Sequence, residues 1–573
     1  MWGLFSKDPT KDFPYENVEQ LGQIHLANKT VWSLHSGKHR TSQDPVAIFS
    51  CDMKDGASQT QLDIARSAVS SRGQTSLSIS LHVCRAAVKR LKTLRHPSVL
   101  TYVHSVETDR VVLLATEPVS PLQEHLEQLV DRGPKRDNYI AWGIFQVCRA
   151  LAFLNNDAKL KHNNLHAASV FVTPAGDWKL AGLESVCGAD QEAPVQVLPT
   201  TAKYSPPERS DHSKARLASS WAADVWGLGC LIWEVFNGAL PSSENLGKLG
   251  EIPKSLQPTY KECVGANPSK RPNPSDILTK LRKSPGFFKN DLIDIVLFLE
   301  ELQIKEDSDK VRFYSSLPGL LDNCPQNVCQ NKILPQLINA FEYGNAGSAI
   351  LTPVFKIGKD LDTAEYQAKI VPCVVKLFSS NDRNARFKLL SQVENFVEHL
   401  SNKIVNDQVF PKIESGFLDS EPLIREKTVI SMIHLAPKLN YSNLDETVVM
   451  KHFTKLARDE QGGIRTNTTV CLGKIARYLH PKTRQQCLLG CFSRALKDPF
   501  PPSRIAAINA IAATQQFYTV AETGCRVTVV LAPATVDPEK AVRDQVRETT
   551  RLHAIDMTFT AGVPSTARLL GQA

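Results

Sequence analysis

The sequence predicts a multidomain protein: an α+β part with a small strand-rich lobe and a larger helical lobe, followed by an all-α array of repeated helices. Two observations carry that division. Up to about Pro285, strand-like and helix-like patterns alternate, and beyond it only helical patterns occur. Within the helical part a period emerges, because Arg386, Arg425, Arg465, Arg504 and Arg543 are separated by 39, 40, 39 and 39 residues. A chain of 573 residues is long enough for several domains, each with its own core.

In chain order, Thr30–Leu34 and Val46–Ser50 read as strands, Ala86–Leu94 as a helix and Val111–Glu117 as a strand. From about Asn138 the pattern is mainly helical, with Ile140–Leu154 and Val225–Phe236 strongly apolar. The serine-rich stretch Leu62–Arg85, with Arg72-Gly73 in its middle, reads as a flexible insertion before the first helix.

Three strings bear on chemistry: Val46-Ala47-Ile48-Phe49, His162-Asn163-Asn164-Leu165, and Lys179-Leu180-Ala181-Gly182-Leu183-Glu184. They have the order and spacing of the V-A-I-K, H-R-D-L and D-F-G signatures of protein kinases. Each lacks the residue that performs the chemistry. Phe49 stands where the phosphate-pairing lysine belongs, Asn164 at the catalytic aspartate, and Gly182 at the magnesium-binding aspartate. Ser169 fills the slot of the second magnesium ligand, and counting back from Pro97 places Ala87 near the helix glutamate. Ile24, Leu26 and Lys29 occupy the three glycine slots of the phosphate loop.

Phosphoryl transfer depends on charge held in place, and loss of the general base alone costs a factor of about 10²–10⁴. Removing both magnesium ligands also removes most of the electrostatic stabilisation. Lys29 and Lys54 are candidates to reach phosphates and Glu184 lies two positions after the lost aspartate, but four simultaneous rescues would be needed. What survives is architectural: Pro206-Pro207-Glu208 matches A-P-E, Asp224-Val225-Trp226-Gly227-Leu228-Gly229 matches D-x-W-x-x-G, and Arg271-Pro272 matches the late arginine. The likeness to kinases implies a buried Glu208–Arg271 ion pair and an Asp224 that braces the catalytic-loop backbone. The first domain, 1–285, is therefore expected to be a kinase-like fold without catalysis.

Four of the five periodic arginines follow an aspartate by six residues: Asp419, Asp459, Asp498 and Asp537. Each arginine opens a helix with an amphipathic reading, as in Arg425–Leu439, where Val429, Ile433, Ala436 and Leu439 share a face. A period near forty with two helices per unit is the signature of HEAT repeats. Residues 286–551 are thus expected to form an all-α HEAT-repeat solenoid held by an aspartate–arginine ladder. Residues 552–573 are expected to be an irregular tail, since Thr558–Thr566 is polar and broken by Gly562 and Pro564.

Composition excludes other classes. The chain is 42% hydrophobic and 22% charged, with a net charge of +8 dispersed rather than blocked. No run of eighteen apolar residues suggests a membrane span, and Met1–Pro14 lacks a signal-peptide core. The thirteen cysteines are scattered, and pairs such as Cys324/Cys329 and Cys487/Cys491 lack zinc-site spacing. A cytoplasmic protein with no metal and no cofactor is expected.

Further strings resemble one family: Met1-Trp2 with Asp12-Phe13-Pro14, Leu94-Arg95-His96-Pro97, Gly229-Cys230-Leu231-Ile232-Trp233-Glu234, Phe298-Leu299-Glu300-Glu301, and Asn467-Thr468-Thr469-Val470-Cys471-Leu472-Gly473-Lys474. Together with the degenerate kinase strings they are similar to the Scy-like family of catalytically inactive kinases, over nearly all of residues 1–547. The resemblance implies a scaffold for the COPI coat and Arf-type small GTPases. It places that scaffold at the Golgi and the ER–Golgi intermediate compartment, supporting retrograde traffic to the endoplasmic reticulum and bound to membranes peripherally through partners. Fungal relatives imply an alternative, an adaptor of the tRNA nuclear-export machinery; a weak nucleotide-binding switch with residual kinase activity is another. The family pattern implies a coiled coil and a basic coat-binding tail after Arg547, whereas this sequence reads Leu569-Leu570-Gly571-Gln572-Ala573 at its end.

Overall fold

The computed structural model describes residues 12–26, 29–52, 77–129, 133–193, 199–343, 348–378 and 383–549. They fall into two compact units, one running to Lys305 and including Ser316–Gln336, the other containing Glu306–Ser315 and the chain from Leu337.

The first unit opens with a five-stranded antiparallel sheet of β1 (Tyr15–Leu21), β2 (Ser33–His39), β3 (Pro45–Asp52), β4 (Tyr102–Glu107) and β5 (Val111–Thr116), in the order β1-β2-β3-β5-β4. Strand alternation divides β3 between two tasks. Val46 and Ile48 pack with Phe13 and Ala115 on one face, and Phe49 projects from the other. The reading of Thr30–Leu34 as a strand is early by three residues, because the ladder with β3 starts at Ser33.

Helix α1 spans Leu77–Thr93. It therefore includes the last third of the stretch read as an insertion, of which residues 62–76 lie outside the described residues. Serine content suggested a flexible loop there, yet Leu77, Leu81, Cys84, Val88 and Leu91 keep helical spacing with no Gly or Pro between them.

The larger lobe is built on two buried helices, α2 (Pro134–Ala152) and α3 (Ala222–Asn237). Strands β6 (Val170–Val172) and β7 (Trp178–Leu180) pair antiparallel beneath the small lobe. Trp178 lies so close to Gly143 of α2 that a Cβ there would sit 2.1 Å from its ring. Helix α3 is apolar around its whole circumference and buried along nearly its full length, which suits a core helix rather than an amphipathic one.

The change in sequence character at 285/286 does not coincide with the edge of this unit. Helix α4 (Asp291–Glu300) packs on α2, with Phe288 edge-on to Phe145 at 5.4 Å and Arg149 paired to Glu300 at 3.1 Å. Lys332 reaches Asp177 at 2.9 Å. The helical pattern after Pro285 is local, while the apolar surface it covers belongs to the earlier segment.

In the second unit α5 (Pro422–Leu435), α6 (Gly462–Ile475) and α8 (Pro501–Ala513) pack side by side in chain order, and α7 (Pro481–Ala495) crosses between the last two. Each of the three begins three residues before its arginine. In α5 the buried positions are Ile424, Thr428, Val429, Ser431, Met432 and Leu435, a single stripe at i, i+4, i+7, i+8 and i+11 with Val429 at its edge. The expected face of Val429, Ile433, Ala436 and Leu439 is thus corrected: the buried stripe is turned toward Ile424, Thr428, Ser431, Met432 and Leu435, Ile433 and Leu439 are only half-buried, and the α-helix ends at Leu435.

Three rungs join these helices. Arg425 grips Asp459 (2.8 and 3.1 Å), Arg465 grips Asp498 (2.7 and 2.8 Å), and Arg504 grips Asp537 (2.7 and 2.8 Å). The partner is the aspartate of the following unit. The aspartate six residues before each arginine offers its backbone carbonyl instead, 2.8 Å from Nη1 in all three cases. That same aspartate accepts the N–H two residues on and so turns the chain into the helix. Arg386 is looser, 3.9 Å from Asp419, which also receives Arg383 at 3.4 Å. Arg543 donates to the carbonyls of Asp537 and Pro538. Thr558–Thr566 lies outside the described residues. Among the described residues no helix is long and apolar enough to cross a membrane.

Candidate functional site: a filled nucleotide cleft

The cleft lies between the sheet and the larger lobe, and it gathers Phe49, Ala87, Asn164, Ser169 and Gly182 into one lining. Strand β3 delivers Phe49, α1 delivers Ala87, and the turns flanking β6 and β7 deliver the other three. The side chains brought together are not those that hold a phosphate.

Phe49 is buried and meets Phe171 edge-on at 5.2 Å and Trp32 edge-on at 6.2 Å. Such contacts between rings add about 0.5–1.5 kcal/mol each beyond burial. The Trp32 indole donates to Glu184 at 2.6 Å, so the carboxylate nearest the lost aspartate is already engaged. Asn164 reaches toward Glu184 and the Gly182 carbonyl, at 3.5 Å in each case.

Gly182 adopts a left-handed conformation (φ 70°), and a Cβ on it would lie 2.7 Å from the Ser169 Cβ. Ser169 is spent on its own turn: its hydroxyl donates to His166 O at 2.8 Å and accepts from His166 N at 3.1 Å. Lys29 also lines the cleft, where burial pulls its ammonium below the usual value and Gln123 accepts from it at 3.3 Å. Lys54 lies outside the described residues.

The remaining space is about 30 Å³, against about 300–1,000 Å³ for ordinary small-molecule sites. Mg²⁺-ATP does not fit this donor set, since Phe49, Gly182 and Ser169 provide neither a cation for phosphate nor a carboxylate for metal. The loss is local. A hollow of about 660 Å³ persists on the other side of the catalytic loop, lined in part by Asn163, Tyr204, Arg209 and Arg216.

Around the cleft the frame is complete. Buried Asp224 accepts from the backbone N–H groups of His162 and Asn163, both at 2.8 Å, and from the Asn155 amide at 2.8 Å. His162 donates to Ala181 O at 2.7 Å, tying the catalytic loop to the turn that follows β7 and contains Gly182. Arg271 meets Glu208 through two bonds of 2.7 and 2.9 Å and covers the Trp226 ring at 5.0 Å.

Several contributors escape a reading of the sequence. Trp32 and Phe171 are ordinary apolar letters until the fold stacks them on Phe49. Glu234 is buried and accepts from Ala167 N, Leu240 N and the Tyr204 hydroxyl; only its place within the apolar run from Val225 to Phe236 could have flagged it.

A protein kinase domain model matches residues 64–286. The chain is 35% identical over 542 residues to the probable inactive serine/threonine-protein kinase scy1 of Dictyostelium discoideum, covering 93% of this chain and 62% of that one. Human SCY1-like protein 2 is 22% identical over 79% of this chain and 52% of its own. Fold and site together define a pseudokinase. The chain is similar to the Scy1-like kinase-related proteins over most of its length, and it spans between half and two thirds of the length of these two relatives. In fold it matches a crystal structure of Cex1p, with a TM-score of 0.64 at 20% identity, covering 98% of this chain and all of that one.

Proposed function

We propose that this chain is a non-catalytic scaffold of membrane traffic, in which the kinase-like unit is a rigid platform and the helical unit a HEAT-type solenoid that binds partners. The observation that carries the non-catalytic reading is the aromatic filling of the cleft inside an intact kinase frame. Chemistry has been replaced by packing, while Asp224, Glu208 and Arg271 still hold the surrounding loops. The solenoid reading is supported by three equivalent arginine–aspartate rungs at a 39–40-residue period.

The COPI coat and Arf-type GTPases are proposed as partners, with action at the Golgi and intermediate compartment in retrograde transport. That assignment is supported by the family resemblance. Affinity capture with the full chain, scored for coat subunits and Arf GTPases, tests it. Recovery of either supports the trafficking role; recovery of neither by a folded chain removes it. In parallel, Mg²⁺-ATP is expected to leave the thermal midpoint unchanged, and a concentration-dependent rise would overturn the filled-cleft reading.

A further inference from the structure

Beside the first and second rungs is a cleft of about 310 Å³ formed by two successive helical units. Arg458, at the end of one crossing segment, and Arg494, on α7, both line it and both are exposed. Neither guanidinium makes an ion pair or a side-chain hydrogen bond among the described residues, unlike Arg465 at the cleft floor, which is consumed by Asp498. The nearby aspartates are likewise consumed, Asp459 by Arg425 and Asp498 by Arg465. Two uncompensated positive charges therefore share one concave site, with Lys455 and Lys497 exposed three residues from them.

Like charges on a common cleft repel unless an anion joins them, and paired guanidiniums match the geometry of phosphate oxygens. The hydroxyl-bearing Thr469 and Ser503 line the same space. We infer that this inter-unit cleft is a binding site for a phosphate-class anion, a free polyphosphate or the phosphorylated headgroup of a lipid, gripped by Arg458 and Arg494. The proposal stands apart from the filled kinase cleft and does not depend on any trafficking role.

Isothermal titration of the full chain with inorganic pyrophosphate at low ionic strength tests it. Binding at one site that weakens with added salt is expected. The double variant Arg458→Gln/Arg494→Gln should lose about tenfold in affinity per arginine, since a charge-assisted bond is worth about 1.4 kcal/mol or more. Arg477→Gln, an exposed arginine outside the cleft, should bind as the parent does. Because neither cleft guanidinium has an ion-pair or hydrogen-bond partner among the described residues, the double variant should keep its circular dichroism and thermal midpoint. Flotation with vesicles carrying a phosphatidylinositol phosphate separates the sources: recovery through the same two arginines identifies a headgroup, and pyrophosphate binding without recovery identifies a soluble phosphate. Absence of pyrophosphate binding, or a double variant that binds unchanged, overturns the assignment.

Discussion

In the kinase-like unit one arginine, Arg271, closes on Glu208 across 63 residues, whereas in the helical unit Arg425, Arg465 and Arg504 each close on an aspartate 33 or 34 residues ahead. The chemistry is the same, a bidentate guanidinium–carboxylate pair with a backbone carbonyl as further acceptor. The Arg271 side chain is fully buried, while those of Arg425 and Arg465 are 16% exposed. A single non-local pair must be protected completely, because nothing else closes the same gap. A repeated local pair shares its task with the rungs on either side and tolerates some water.

Substitution at the single pair should give the largest effect. Arg271→Ala leaves Glu208 as an uncompensated buried charge and is expected to cost about 3–5 kcal/mol. All seven tryptophans lie at or before Trp233, so denaturant titration followed by tryptophan emission reads this unit alone. A loss under about 1 kcal/mol would place Arg271 on a par with a surface pair and end the contrast.

Next comes Arg504→Ala, which strands a mostly buried Asp537 in the most buried of the three rungs and should cost about 2–3 kcal/mol. Followed by circular dichroism, it should shift the helical unit's transition and leave the tryptophan signal unmoved. A shift in both signals would show that the two units unfold together.

Acidification sharpens the comparison further. Burial holds His96 down to about 4 and His166 down to about 3, and it also lowers His125. These groups are neutral when folded and take protons near 6.5 when unfolded, so the kinase-like unit loses stability as pH falls below about 6.5. Among the described residues the helical unit has one comparable group, His452, lowered by burial against the pull of Glu414. Its rung aspartates behave oppositely in cause. Burial raises Asp498 and Asp537, but the guanidiniums of Arg465 and Arg504 and nearby N–H groups outweigh it and hold both below the ordinary value. Their contribution is complete above about pH 3.9 and fades as pH falls through the lower folded values. Tryptophan emission should therefore report softening at milder acidity than the helical signal does; coincident transitions would refute this order.

The smallest effect is expected at Arg386→Ala, where the nearest aspartate oxygen is 3.9 Å away and Arg383 shares the same carboxylate. It should cost less than about 1 kcal/mol. A cost equal to that of Arg504→Ala would make the ladder uniform rather than graded.

Particular residues show what could be read in advance. Arg425, Arg465 and Arg504 were legible by arithmetic, since a period is visible without any knowledge of contacts. Which aspartate each one takes was not, because the two candidates lie six residues behind and 33 or 34 ahead, and only the packing of successive helices brings the second within reach. Phe49, Asn164, Ser169 and Gly182 were legible by their absent charges. That the vacancy is closed by Trp32 and Phe171 was hidden, because rings distant in sequence meet only across the folded sheet. The helical start of α1 at Leu77 was obscured by serine content, although its apolar spacing was present.

The sequence alone determined the loss of phosphoryl-transfer groups, the retention of the motifs that brace a kinase frame, and the change from mixed to all-helical pattern, because these are written as residue types at fixed spacing. The tertiary structure alone decided how little space the cleft keeps, where the first compact unit ends, and which arginines are left without a carboxylate. Those outcomes depend on side chains from distant segments competing for the same volume and the same charges, and no local pattern encodes that competition.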